Sequence, residues 1–535
     1  MQNTKLKKAL RAFADNGINL ILLSILTGLF AGVVVTFYNV LASIGEDTAE
    51  KLYSLIRDNP VFIPVLMLGL AAGGIVIGTF VRFVPMIRGS GIPQIEGAAR
   101  GIIRFKWYVT MCSMFAASLA CVFMGLSAGA EGPSLEIGGC AGEAVGATLK
   151  RSQMVRRLQI ASGSSAGLAV AFNAPITGLV FAMEEAFRSF SPQVFICAAI
   201  SVVTSLFTRN LIRPAIGYGT GFTFANFGFA SFSLGSCLWA IPAALITALA
   251  GVGFYYAVFG AKKFLKNITF LKGAGKYIFV FVLAGNFALI TSYAIGGGHS
   301  FISSLAAADG AISVEKVFGI SIVASLIIIV IIRFAAAVMN MACGVPCGVF
   351  IPMLAVGAGI GALLSLLFQK MGMNGTYSDY LVIICMSVFF TTIVKAPITG
   401  IVMVFELTGQ FTNFLPALLG IAVGYLISML FRVQPIYERN LEEFIEAEKL
   451  YLNVKKEKVS LLIAPDSKAD GAKIRAIIWP TNGLVVQIIE ADGKVIVPDG
   501  ETVMSAGSTL VFECETSSRE ELISYLESIV GKQEE

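Results

Sequence analysis

Apolar stretches long enough to cross a lipid bilayer recur along this chain, and glycine and proline interrupt several of them partway. They fall at about 18–41, 61–81, 107–128, 159–186, 194–208, 236–259, 277–296, 317–342, 349–368, 380–407 and 414–431. A helix of about 20 apolar residues spans the hydrocarbon core. Inside that core every backbone N–H and C=O needs a partner. Broken helices therefore survive there only where the freed groups are buried or line a cavity. The pattern predicts an all-α polytopic membrane protein with irregular backbone at membrane depth, the usual setting of a transport site.

Composition narrows the alternatives. Of 535 residues, 56% are hydrophobic and only 14% charged, against roughly a quarter charged in ordinary soluble domains. Lys5, Lys7, Lys8 and Arg11 precede the first run, which is longer than the apolar region of a cleaved signal peptide. Positive charge before the first span predicts a cytoplasmic N-terminus. A net charge of +5, with no basic groove carrying interleaved aromatics, points to no nucleic-acid partner. Cys343 and Cys347 are four apart but have no histidine or carboxylate cluster beside them, so neither a metal nor a cofactor is expected. The one histidine, His299, follows Gly296, Gly297 and Gly298 and reads as a loop residue. That leaves no assembled catalytic set, and the chain does not read as an enzyme.

The chain also repeats itself. Ala174-Pro175-Ile176-Thr177-Gly178 recurs as Ala396-Pro397-Ile398-Thr399-Gly400, and a glutamate ends the apolar stretch after each copy, Glu184 and Glu406. Gly129, Pro133, Gly138 and Gly142 match Gly348, Pro352, Gly357 and Gly361 at nearly the same offset. Paired, Gly/Pro-interrupted segments in equivalent halves point to a binding site between repeats at the membrane midplane. Sequence alone leaves open whether the repeats are parallel or inverted. The expected organisation is a cytoplasmic segment over 1–16, membrane repeats over 17–212 and 235–432, a linker over 433–458 and a small α+β domain over 459–533. In that last part Asp492-Gly493 between two apolar runs signals a hairpin, and 519–530 has the periodicity of a closing helix.

Short motifs near helix starts carry the chemistry. They are Gly89-Ser90-Gly91-Ile92-Pro93, Gly129-Ala130-Glu131-Gly132-Pro133 and Gly348-Val349-Phe350-Ile351-Pro352, with Tyr437 after the last membrane segment. Proline suits the first helical turn, and helix N-termini offer free N–H groups and a positive dipole end to an anion. Amides in place of Arg or Lys keep binding weak enough for release.

With these motifs in this order, the chain resembles the CLC family of chloride channels and chloride/proton antiporters over about 17–440. The resemblance implies a CLC-type inverted repeat of broken and re-entrant helices, a homodimer with one pore per protomer, and a cell-membrane location with both termini cytoplasmic. By the same resemblance Ser90 and Tyr437 hydroxyls and the Val349 and Phe350 amides hold a chloride. Glu131 is then the gate and Glu185 the internal proton-transfer glutamate, which favours antiport over a passive gated channel. One residue departs from the family pattern: Ala130 stands where Lys or Arg is usual, removing a cation from beside Glu131. Residues 459–533 are similar to the TrkA-C (RCK C-terminal) domain, a regulatory module, with cyclic di-AMP as the leading ligand. A membrane-anchored nucleotide sensor is the reading from another class, and paired broken helices argue against it.

Each of these residues also has a plainer reading. Glu131 could merely stabilise a helix start, Ser90 could be a turn residue, and Tyr437 an interfacial aromatic. Glu185 could be an interfacial carboxylate, Glu184 a partner of Arg188 one turn on, and Glu96 a buried structural acid. Trp479 and Asn482 read as core and turn.

Overall fold

The structure, a computed structural model, describes residues 2–186, 192–219, 234–268, 273–306, 314–408, 414–448, 456–477, 483–515 and 519–531, with positions 224, 227, 312 and 479. Eight helices of the first half are α1 (Gln2–Asp58), α2 (Ile63–Phe83), α3 (Ile92–Ala99), α4 (Trp107–Phe123), α5 (Glu131–Thr148), α6 (Gln153–Phe172), α7 (Pro175–Phe181) and α8 (Pro192–Ala215). The second half answers with α9 (Leu234–Asn267), α10 (Gly275–Ile290), α11 (His299–Ser304), α12 (Ile322–Cys343), α13 (Phe350–Lys370), α14 (Ser378–Val394), α15 (Pro397–Thr408) and α16 (Phe414–Leu430). Seven of the described helices are long and apolar enough to cross a membrane.

The halves are inverted. From Ile18 to Glu46, α1 rises about 42 Å at 1.5 Å per residue, enough to carry the chain to the far face. The next helix, α2, returns it, ending near Arg88, which pairs with Glu448 at 3.4 Å. Its counterpart sequence starts from the other side. Near its start, Trp239 of α9 packs on Phe368 in the last turn of α13 at 5.1 Å. Near its end, Lys262 reaches Asn440 and Glu443 of α17 (Ile436–Ala447), both at 2.6 Å, on the face where α2 ends.

Glycine explains why equivalent helices pack alike. A Cβ on Gly138 or Gly142 of α5 would collide with the carbonyl oxygens of Gly163 and Gln159 on α6. One on Gly357 or Gly361 of α13 would meet those of Cys385 and Leu381 on α14. Small residues at this spacing let membrane helices approach backbone to backbone, where dispersion and weak polar contacts replace the missing hydrophobic drive. The breaks repeat too. Asn173 after α6 and Lys395 after α14 both take left-handed backbone, with φ of 55° and 63°, before proline restarts the chain as α7 and α15.

The two restarted helices exchange caps. Glu184 accepts from the Ile398 and Thr399 amides at the start of α15, at 3.1 and 2.7 Å. Glu406 accepts from the Ile176 and Thr177 amides at the start of α7, at 2.8 and 2.6 Å. Each carboxylate therefore satisfies helix-start N–H groups of the other half, which have no intrahelical acceptor. Glu184 thus has partners across the repeats; its expected partner one turn on, Arg188, lies outside the described residues.

The C-terminal sheet has the order β1-β4-β2-β3, all antiparallel, from β1 (Lys456–Leu462), β2 (Gly483–Ile489), β3 (Val495–Ile496) and β4 (Thr509–Glu515). The turn between β2 and β3 uses Gly493 at φ 86°. Val459, Leu461, Leu510 and Phe512 pack under α18 (Arg519–Val530) through Leu526 and Val530. Trp479 joins that core, donating its indole N–H to the Ile474 carbonyl at 2.8 Å. Asn482 lies outside the described residues.

Candidate ion pathway

The pathway is built around the point where the two repeats touch. Gly129 and Gly348, repeat mates in the sequence, exchange backbone hydrogen bonds at 2.8 and 2.7 Å. Two residues on, Glu131 and Phe350 open α5 and α13. Because the repeats are inverted, these helices run away from the junction in opposite directions while their N-termini converge on it. A third start joins them: a Cβ on Gly132 would touch Ser90, which stands just before α3. Gly89 and Gly91 flank Ser90 with φ of 81° and 78°, a left-handed backbone that only glycine adopts cheaply. Converging N-termini give a field that suits an anion without a buried formal cation.

The residues singled out in the sequence meet here. Ser90, Val349 and Phe350 are buried around the junction. Tyr437, near the start of α17, is fully buried, so it is no interfacial aromatic, and its hydroxyl has no hydrogen-bond partner among the described residues. It lies within electrostatic reach of Glu185, Glu96 and Glu131. Glu185 sits in a π-helical turn, Ala182–Ala186, and is buried rather than interfacial. Glu96 is also fully buried.

Glu131 is only 3% exposed. Its Oε1 lies 3.5 Å from His299 Nε2, and its Oε2 has no hydrogen-bond partner among the described residues. An ionised carboxylate at membrane depth costs about 2.5–3.5 kcal/mol, which makes a buried acid there a candidate functional group. Phe350, its repeat mate, is held by Phe390, Phe172 and Phe181, with ring centroids 4.5, 5.2 and 5.9 Å away.

On the face where α2 ends, a cavity of about 540 Å³ leads to this junction, lined among others by Arg88, Ser90, Lys262, Lys266, Lys276 and Val349. This basic vestibule carries the positive charge that half-buried Ala130 does not place next to Glu131. Sequence reasoning missed several groups. His299, read as a loop residue, opens α11 beside Glu131. Arg333 is fully buried, donating to the Ile295 and Gly296 carbonyls at 3.0 and 2.9 Å and to the Ser127 hydroxyl at 3.1 Å. Its signal was available, since it is a lone charge inside the apolar run 317–342. Glu136 packs against Gly91 with neither carboxyl oxygen hydrogen-bonded among the described residues, and nothing in its spacing marked it.

Known proteins share this plan. The sequence pattern of the family described as voltage gated chloride channel matches residues 73–429, most of the membrane part. The chain belongs to that family. Residues 459–527 match the TrkA-C domain, so the family's membrane unit here carries a TrkA-C tail. The H(+)/Cl(-) exchange transporter ClcA of Vibrio parahaemolyticus is 26% identical over 466 residues, covering 83% of this chain and 94% of the relative. The protein of the same name from Yersinia pseudotuberculosis is 28% identical over 429 residues, covering 76% and 84%. The crystal structure of a slow cyanobacterial Cl-/H+ antiporter superposes with a TM-score of 0.72 at 23% identity, covering 80% of this chain and 99% of that one. A CLC-type fluoride/proton antiporter superposes with a TM-score of 0.60 at 19% identity, covering 78% and 97%. At these identities the two solved structures speak to the fold alone.

Proposed function

We propose that this protein exchanges chloride for protons across the cell membrane, with Glu131 as gate and proton carrier and Glu185 as the group passing protons to and from the vestibule face. One observation carries the reading: the buried Glu131 carboxylate stands at the start of α5 with Oε2 unpartnered, where helix N-termini converge. An ionised carboxylate and a chloride compete for that positive field. A protonated carboxyl does not compete, so anion passage and proton movement become coupled. The chloride is held between the hydroxyls of Ser90 and Tyr437, which donate, and the amides of Val349 and Phe350, which replace part of its hydration shell. Burial of Glu185 within electrostatic reach of Tyr437 favours exchange over a passive gated channel. The names of the relatives support the same choice.

The vestibule is read as cytoplasmic. Arg88, Lys262, Lys266 and Lys276 gather there, whereas the far face carries Glu46, Asp47, Glu50, Asp58 and Glu315 against Lys51 and Arg57. Positive charge marks the cytoplasmic side. The working unit is read as a homodimer, and the TrkA-C tail as a regulatory domain whose first ligand to test is cyclic di-AMP. Isothermal titration of the full-length protein with that nucleotide tests the tail, and absence of binding heat removes this ligand.

Reconstitution in liposomes under a chloride gradient, with external pH recorded, tests the transport. The expected outcome is uphill proton movement driven by chloride, lost in Glu131→Gln while chloride still flows. Chloride flux that never drives protons, or coupling unchanged in the variant, overturns the proposal.

A further inference from the structure

Glu131 is nearly sealed from solvent, and a more exposed side chain lies against it. His299, the only histidine of the chain, has its Nε2 at 3.5 Å from Glu131 Oε1, with its own side chain 37% exposed against 3% for the carboxylate. Imidazole is the one ordinary side chain whose charge changes near neutral pH. The ring is held in place rather than free. Gly298 turns the chain into α11 with φ 108°, and Phe224 stacks on the imidazole at 5.6 Å and 29°. The charged groups around it come from three helices. Glu131 faces it from α5. Glu46 of α1 accepts the Gly297 amide at 2.9 Å. Arg333 of α12 packs beneath Gly298 and is tied to the backbone of the same loop. Glu46 and Arg333 are both tied to that loop by hydrogen bonds, whereas Glu131 meets the ring itself.

We propose that His299 is the proton relay between water at the far face and the Glu131 carboxyl. This rests on the exchange reading above and names the group that serves its gate. Water at the exposed edge protonates the neutral ring. The imidazolium then gives its Nε2 proton to Oε1 of the carboxylate, leaving a neutral ring and a neutral carboxyl. One proton has left the water and one has reached Glu131; the ring re-equilibrates its tautomers through the same water. The return stroke runs these steps backward. A separation of 3.5 Å suits such a pair at rest, since catalytic hydrogen bonds often tighten only as the proton moves.

The test is chloride/proton exchange by the full-length protein in liposomes as pH on the far side is varied, for the wild type, His299→Gln and His299→Asn. Gln and Asn keep hydrogen bonding but do not titrate. Both variants are expected to slow exchange about tenfold at neutral to mildly alkaline pH, where hydronium is scarce, and by less than about twofold near pH 4.5, where water can protonate Glu131 directly. The chloride-to-proton ratio and the chloride affinity stay at wild-type values. In His299→Ala, imidazole added on the far side restores rate, and imidazole on the vestibule side does not. Variant profiles that superpose on the wild type, or a deficit equal at every pH and untouched by imidazole, overturn the relay while leaving the gate intact. A wild type that moves chloride without protons overturns the gate and the relay together.

Discussion

The first turns of α5 and α13 are built on one frame, a glycine four residues before a proline, and they touch through one pair of hydrogen bonds between Gly129 and Gly348. At the third position of that frame they part. In α13 the side chain is Phe350, gripped by three phenylalanine rings, so the first-turn amides are presented on a backbone that has no reason to move. In α5 it is Glu131, one oxygen unpartnered and the other at 3.5 Å from a half-exposed imidazole. On the exchange reading proposed above, the duplicated scaffold supplies a fixed anion-binding edge from one copy and a movable charged one from the other. A binding site needs the first. A coupled transporter needs both, because only a group that can leave the site exchanges its occupancy for a proton.

The largest test asks whether the shared scaffold is as strict as it looks. Gly142→Leu and Gly361→Leu each drive a side chain into backbone on the neighbouring helix, beyond the roughly 1–3 kcal/mol of ordinary overpacking. Neither variant is expected to yield folded protein by size-exclusion chromatography in detergent. If one half tolerates the change, the packing is not equivalent.

Phe350→Ala comes next. Emptying the aromatic cage should cost about 3–5 kcal/mol of stability, read as a lower melting temperature, while the chloride-to-proton ratio of the surviving protein stays unchanged. A changed ratio would show that the fixed edge takes part in coupling.

The exchanged caps offer a finer comparison. Glu184→Gln and Glu406→Gln each weaken hydrogen bonds made by a charged group, at about 1.5–3 kcal/mol, and the two melting shifts should agree. Unequal shifts would break the symmetry at its hinge. Smallest is Ser90→Ala. It removes one hydroxyl donor worth about 1 kcal/mol, so titration calorimetry should find chloride binding weakened roughly fivefold, with coupling intact.

Much of the architecture was legible because membrane folding is a local constraint. The apolar runs gave the spans, the Gly/Pro matches gave the repeat, and the three motifs gave the residues around the junction. What could not be read were partners far apart in the chain. Glu184 and Glu406 stand out as repeat mates, yet each caps a helix more than 200 residues away, at separations of 215 and 229 for the Thr399 and Thr177 amides. Glu185, the neighbour of Glu184, is buried within a π-turn, a geometry that the ordinary helical period does not foretell. His299 looked like a loop residue since three glycines precede it, and only the packing of α11 against α13, with α1 and α12 around its loop, brings it to Glu131.

The sequence by itself determined that the chain lies in a membrane, that it is duplicated, and that glycine and proline break its helices in matching places. Hydrocarbon demands paired backbone and apolar surface within each segment, and both demands are written locally. The tertiary structure decided that the repeats are inverted, that their caps are exchanged, and that a sole histidine reaches a buried carboxylate. Those facts depend on which segments meet, and side chains hundreds of residues apart become neighbours only once glycine faces let the helices close together.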